Sequence, residues 1–165
     1  MKKFLFLVSW MAFVSVACSE QKQAAVTPGD SKAAVSAETA WMTDFDAAKA
    51  KAKADNKYML LDFSGSDWCG WCIKLDKEVF STKEFKDFAA QNFVLVMLDY
   101  PRSKPQPDAI KAQNEKLSRQ YNIEGFPTVL ILNPDGKLVE QTGYRAGGGA
   151  AYVTYLKSVL AREKK

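Results

Sequence analysis

Apolar positions fall in blocks whose spacing names the elements of this chain. Tyr58-Met59-Leu60-Leu61-Asp62-Phe63 and Phe93-Val94-Leu95-Val96-Met97-Leu98 are continuous apolar runs, the first broken by a single acid. Such short unbroken runs predict strands buried on both faces. Thr128-Val129-Leu130-Ile131-Leu132 is a third, and Asn133-Pro134-Asp135-Gly136 supplies the turn that folds it back onto Leu138 to Thr142. Between strands the period changes. Phe45 to Asn56 is rich in Ala and Lys and helix-prone, and Cys69 to Phe80 places Cys72, Leu75 and Val79 on one helical stripe. Ser81-Thr82-Lys83-Glu84 has the form of a capping box ahead of Phe85 and Phe88. Asp108 to Tyr121 predicts another helix, after a loop from Pro101 to Pro107. A last helix carries Tyr152, Tyr155, Leu156 and Val159 behind Gly147-Gly148-Gly149, which reads as a flexible connection because it lacks the Lys-Ser/Thr of a phosphate loop. Strands alternating with helices, then a hairpin and a closing helix, predict an α/β fold with a central mixed sheet flanked by helices.

The first forty residues follow a different pattern. Met1-Lys2-Lys3 and the apolar run Phe4 to Ala17 have the layout of a secretory signal, shorter than the roughly 20 residues that span a bilayer. Ser15-Val16-Ala17-Cys18 resembles a bacterial lipoprotein signal, which implies cleavage before Cys18 and lipidation of its thiol. Ser15 departs from the Leu usual there, and Ser15-x-Ala17 equally suits an ordinary signal peptidase. Ser19 is not the Asp that holds such lipoproteins in the inner membrane, which points to an outer-membrane anchor facing the periplasm. From Ser19 to Ala37, Ala, Ser, Gln, Lys and Thr dominate without apolar periodicity, as in a flexible tether. The expected organisation is a signal over 1–17, a tether over 18–40 and one domain over 41–165.

Composition narrows the function classes. With 165 residues, 47% apolar and 25% charged, the chain fits one domain plus appendages. The net charge of +4 includes Lys2 and Lys3 of the signal, and no basic cluster marks a nucleic-acid partner. Membrane contact is expected through the lipid anchor alone. Three cysteines are too few for a disulfide scaffold.

Two of those cysteines carry the candidate chemistry. Trp68-Cys69-Gly70-Trp71-Cys72 follows the first strand and opens a helix, a spacing that lets both sulfurs meet within one turn. A helix N-terminus offers unpaired N–H groups and a partial positive charge that favour thiolate. Cys69 is therefore the expected nucleophile and Cys72 the resolving thiol. Haem attachment would need His after the second Cys, where Ile73 stands in a chain without His; a zinc site would need ligands beyond the remote Cys18. An inert structural disulfide is the remaining alternative.

Asp62-Phe63, Trp68-Cys69-x-x-Cys72, Tyr121-Asn122-Ile123 before Gly125-Phe126-Pro127-Thr128, and Asn133-x-Asp135-Gly136-Lys137 together resemble the thioredoxin superfamily over Trp41 to Lys165. The stretch from Asp62 to Cys72 is closest to its exported single-domain branch. The resemblance implies a thioredoxin-like fold, a cis Pro127 beside a Cys69–Cys72 disulfide, and a Phe126 backbone that pairs with an extended substrate. It implies Trp68, Gly70 and Trp71 as substrate contacts and Asp62 as a buried acid that takes the Cys72 proton. The sequence departs from the family by one extra residue between Asp62 and Cys69, which makes Asp67 a rival acid, and by Trp71 where Pro or His is common. The resulting expectation is an exported thiol–disulfide oxidoreductase, reductase or isomerase rather than primary oxidant. It needs no cofactor or metal, and acts on protein or peptide disulfides and thiols with a further redox partner. The alternatives are a Cu(I)-handling module and a peptide-binding, chaperone-like domain using Trp68, Trp71 and Phe126.

Overall fold

The computed structural model describes residues 40–163. The expected signal, Cys18 and all but the end of the tether lie outside the described residues. Strand β1 (Tyr58–Ser64) occupies the sheet centre, parallel to β2 (Phe93–Asp99) and antiparallel to β3 (Thr128–Leu132), which pairs antiparallel with β4 (Leu138–Thr142). The order is β2-β1-β3-β4, a mixed sheet as expected. Six of the seven β1 residues are buried, which is why the strand is apolar apart from Asp62 and Ser64 rather than alternating.

Helices cover both faces. Phe45, Ala48 and Ala52 of α1 (Phe45–Asp55) and Leu117 of α4 (Asp108–Gln120) pack with Met59, Leu61, Phe63, Leu130 and Leu132. The other face buries Leu60, Leu95, Val129 and Ile131 against α2 (Gly70–Leu75), α3 (Lys83–Asn92) and α5 (Gly148–Glu163). Side chains alternate along a strand, so Asp62 shares the Leu60 face and lies under the layer that contains α2.

Three local readings are corrected. The helix from Cys69 to Phe80 is α-helical only to Leu75; Asp76–Phe80 is a π-helical turn, and the Ser81 N–H reaches back to the Asp76 carbonyl at 2.8 Å. Ser81 thus closes that turn and is not free to cap α3. The cap is Thr82, whose Oγ1 accepts the Phe85 N–H at 3.4 Å and donates to the Val79 carbonyl at 2.6 Å. The triple glycine is a close-packed helix entry rather than a flexible connection. Gly147 and Gly148 have φ of 110° and 73°, and a Cβ on buried Gly149 would lie 2.0 Å from Thr82 Oγ1.

Candidate active site

The site lies at the carboxyl ends of the parallel strands β1 and β2, where open α/β sheets bind ligands. Ser64 and Asp99, the last residues of these strands, are in register, and the turn after β1 is tied to Asp99: Ser66 donates to its carboxylate from N–H at 2.8 Å and from Oγ at 2.6 Å. Cys69 then caps α2 in extended conformation (φ −86°, ψ 104°), its own N–H bound to the Gly65 carbonyl at 2.8 Å. Its Sγ accepts the Cys72 N–H at 3.2 Å, and the two cysteines form a disulfide with Cα atoms 5.2 Å apart. In this oxidised form both cysteines are nearly covered, 7% exposed for Cys69 and 4% for Cys72. What separates them is position: the Cys69 sulfur sits where the first N–H groups of the helix point, and Cys72 lies a turn further in.

An aromatic rim surrounds the disulfide. The Trp68 indole N–H donates to the Tyr100 carbonyl at 2.8 Å, its ring meets Phe126 edge-on at 6.0 Å, and Phe126 stacks on Tyr100 at 4.9 Å. The peptide bond between Phe126 and Pro127 is cis. A Cβ on Gly65 would come within 2.5 Å of the Trp68 ring, so the indole can lie there only over a glycine. On the other flank Trp71, more than half exposed, packs on Tyr144 at 5.2 Å, and the Tyr144 hydroxyl donates to Glu78 at 2.6 Å. Nothing would meet a Cβ on Gly70, so packing does not explain that glycine.

The two candidate acids stand in opposite environments. Asp62 is buried under the α2 layer and its Oδ1 has no hydrogen-bond partner among the described residues. Burial, followed by the charges of Asp76 and Asp99, pushes its carboxyl up to about 8. Asp76, one turn beyond Cys72 along the helix, is one of the two acids whose charge reaches Asp62. Asp67 instead accepts the Ser103 hydroxyl at 2.6 Å, the Ser103 N–H at 2.7 Å and the Arg102 N–H at 3.0 Å, contacts that hold it down to about 2. A carboxylate so held stays ionised and fully engaged; it clamps the loop after β2 and makes a poor proton carrier.

The family profile of the thioredoxin-like domain matches residues 45–156. The chain belongs to the thioredoxin-like family. It is 40% identical over 109 residues to the disulfide bond reductase DsbH of Chlamydia pneumoniae, a match covering 66% of each chain. It is 31% identical over 129 residues to the thioredoxin-related protein DsbJ of the same organism, covering 74% of this chain and 37% of that one. The chain thus spans just under two thirds of the first of these curated relatives and little more than a third of the second. A solved DsbH oxidoreductase superposes with a TM-score of 0.73 at 34% identity, covering 84% of this chain and 95% of that one. The Cys69–Cys72 disulfide lies inside the matched thioredoxin-like region, at the helix start where the sequence places it.

Of the residues singled out from the sequence, the structure brings Trp68, Cys69, Cys72, Phe126 and cis Pro127 into one neighbourhood, with Asp62 beneath and Trp71 on the outer flank. Four neighbours were missed: Asp99, Tyr100, Arg102 and Tyr144. Asp99 and Tyr100 close an apolar strand whose carboxyl end faces the site, a signal the sequence did contain. Arg102 and Tyr144 carry none, because their contacts depend on loop paths.

Proposed function

We propose that this chain is an exported thiol–disulfide oxidoreductase that works as a disulfide reductase through Cys69 and Cys72. The observation that carries the reading is a disulfide whose first sulfur caps a helix, bridged to a cis-proline loop by the Trp68–Phe126 contact. The 40% identity to a protein named a disulfide bond reductase supports reduction over isomerisation.

In the reduced protein the Cys69 thiolate attacks one sulfur of a substrate disulfide. A Cys69–substrate S–S bond forms, the substrate bond breaks, and the departing substrate sulfur takes a proton. Cys72 then gives its proton to the Asp62 carboxylate and attacks Cys69 Sγ; the Cys69–substrate bond breaks, the second substrate sulfur leaves and takes a proton from solvent, and the Cys69–Cys72 disulfide forms. Two electrons have passed to the substrate, and a partner dithiol must return two to restore the cycle. Trp68, Trp71 and the backbone of Phe126 form the surface against which a substrate segment lies, with Gly70 leaving space between the cysteines. With a dithiol recycling it, the wild-type protein is expected to catalyse reduction of a protein disulfide, and Cys69→Ser is not. Equal rates for the two would refute the reading.

Export completes the proposal. Cys18 is the lipidated mature N-terminus, anchoring the domain by a tether in the periplasm. Cys18→Ala should abolish fatty-acid labelling in a bacterial host and shift the protein from the membrane to the soluble fraction. Equal labelling of both, or of neither, contradicts it.

A further inference from the structure

We propose that Arg102 selects acidic substrates: its guanidinium, stacked over Trp68 next to the dithiol, binds a carboxylate side chain that flanks the reacting disulfide of a protein substrate. The inference rests on the oxidoreductase reading above. The guanidinium carbon lies 3.7 Å from the Trp68 ring centroid, a contact made with its flat face. Stacking of this kind leaves the in-plane N–H donors pointing outward, in the fork geometry that matches a carboxylate. Among the described residues those donors have no ion-pair partner, whereas Arg119 pairs with Glu115 at 3.7 Å and Arg162 with Glu140 at 2.7 Å. Lys74, the cation on the Trp71 flank, already has Glu78 at 4.0 Å.

The acid nearest along the loop does not quench Arg102 but positions it. Asp67 uses its oxygens on the backbone N–H groups of residues 102 and 103 and on the Ser103 hydroxyl, which fixes the start of the Arg102 side chain. Trp68 in turn is immobilised between Gly65, the Tyr100 carbonyl and Phe126. The cation is thus held on a rigid platform one residue from Cys69, while its donors face solvent. A substrate segment lying along the Phe126–Pro127 loop passes beside this platform. An Asp or Glu close to its reacting cysteine can meet the fork; a Lys there meets like charge.

The test uses three peptide disulfides identical except for Glu, Gln or Lys beside the reacting cysteine, turned over by wild type, Arg102→Gln and Arg102→Lys. Wild type is expected to prefer the Glu peptide over the Lys peptide by about tenfold in kcat/KM, mainly through KM, with a preference that shrinks as salt rises. Arg102→Gln should bring that ratio below about twofold, and Arg102→Lys, which keeps the charge but lacks the fork, should fall between. If Arg102 merely props Trp68, Arg102→Gln slows all three peptides alike and the ratio persists, which overturns the proposal. Binding of the same peptides with Ser in place of Cys provides a readout independent of turnover. Absence of turnover by wild type would count against the oxidoreductase reading, while the Glu-over-Lys binding ratio and its loss in Arg102→Gln would still decide the role of Arg102.

Discussion

Cys72→Ser is expected to turn the protein from a catalyst into a trap. Attack needs only Cys69, whose sulfur caps the helix that opens at Gly70 and accepts a backbone N–H there. Without Cys72 nothing internal resolves the mixed disulfide, so turnover should drop by about a thousandfold or more while Cys69–substrate adducts accumulate on non-reducing gels. Cys69→Ser should lose turnover to the same extent and form few adducts. Its remaining thiol lies deeper, a turn along the helix and nearly covered. Equal trapping by the two variants would contradict the assignment of roles.

Asp62→Asn is expected to stabilise the oxidised protein at pH 8 and to slow its chemistry. The Asp62 carboxyl, raised from 3.8 to about 8 by burial, keeps its proton in the folded state over a range in which the unfolded chain has lost it. The folded form therefore binds more protons between those two values, and its stability falls as pH rises through that window, by at most about 1.4 kcal/mol per pH unit from this one group. Below the window both states are protonated and the group costs nothing in ionisation. Asn resembles the protonated acid, so Asp62→Asn should flatten that slope between pH 5 and 8 and gain on the order of 5 kcal/mol over wild type at pH 8 in urea unfolding. Resolution by Cys72 requires the ionised acid, so in wild type that step should quicken with pH up to about 8 and in Asp62→Asn lose that rise. Stability curves that run parallel for the two proteins would remove Asp62 from both roles.

Much of this architecture was legible because burial leaves simple marks. A central strand covered on both faces has to be apolar, so the run from Tyr58 to Phe63 announced β1, and the one acid inside it marked the place where that rule is broken. The hairpin followed from Asn133 to Gly136, and the dithiol from its place between a strand and a helix. What could not be read depends on contacts between distant segments. The π turn after Leu75 leaves no mark in the apolar spacing, and its closure on Ser81 leaves Thr82 to cap α3. The glycines at the start of α5 looked like a linker because the Thr82 side chain that a Cβ on Gly149 would meet lies more than sixty residues away. Asp67 looked like a rival proton carrier until the chain 35 residues on brought Arg102 and Ser103 to its oxygens.

The most direct test of the account is the rate at which each thiol of the reduced protein is alkylated as a function of pH, with the modified cysteine identified by mass spectrometry. The helix-capping position predicts that Cys69 reacts first at every pH, with an apparent pKa below the ordinary thiol value of about 8.5, and that Cys72 stays protected until the protein unfolds. Equal reactivity of the two cysteines, or a Cys69 that titrates as an unperturbed thiol, would contradict it.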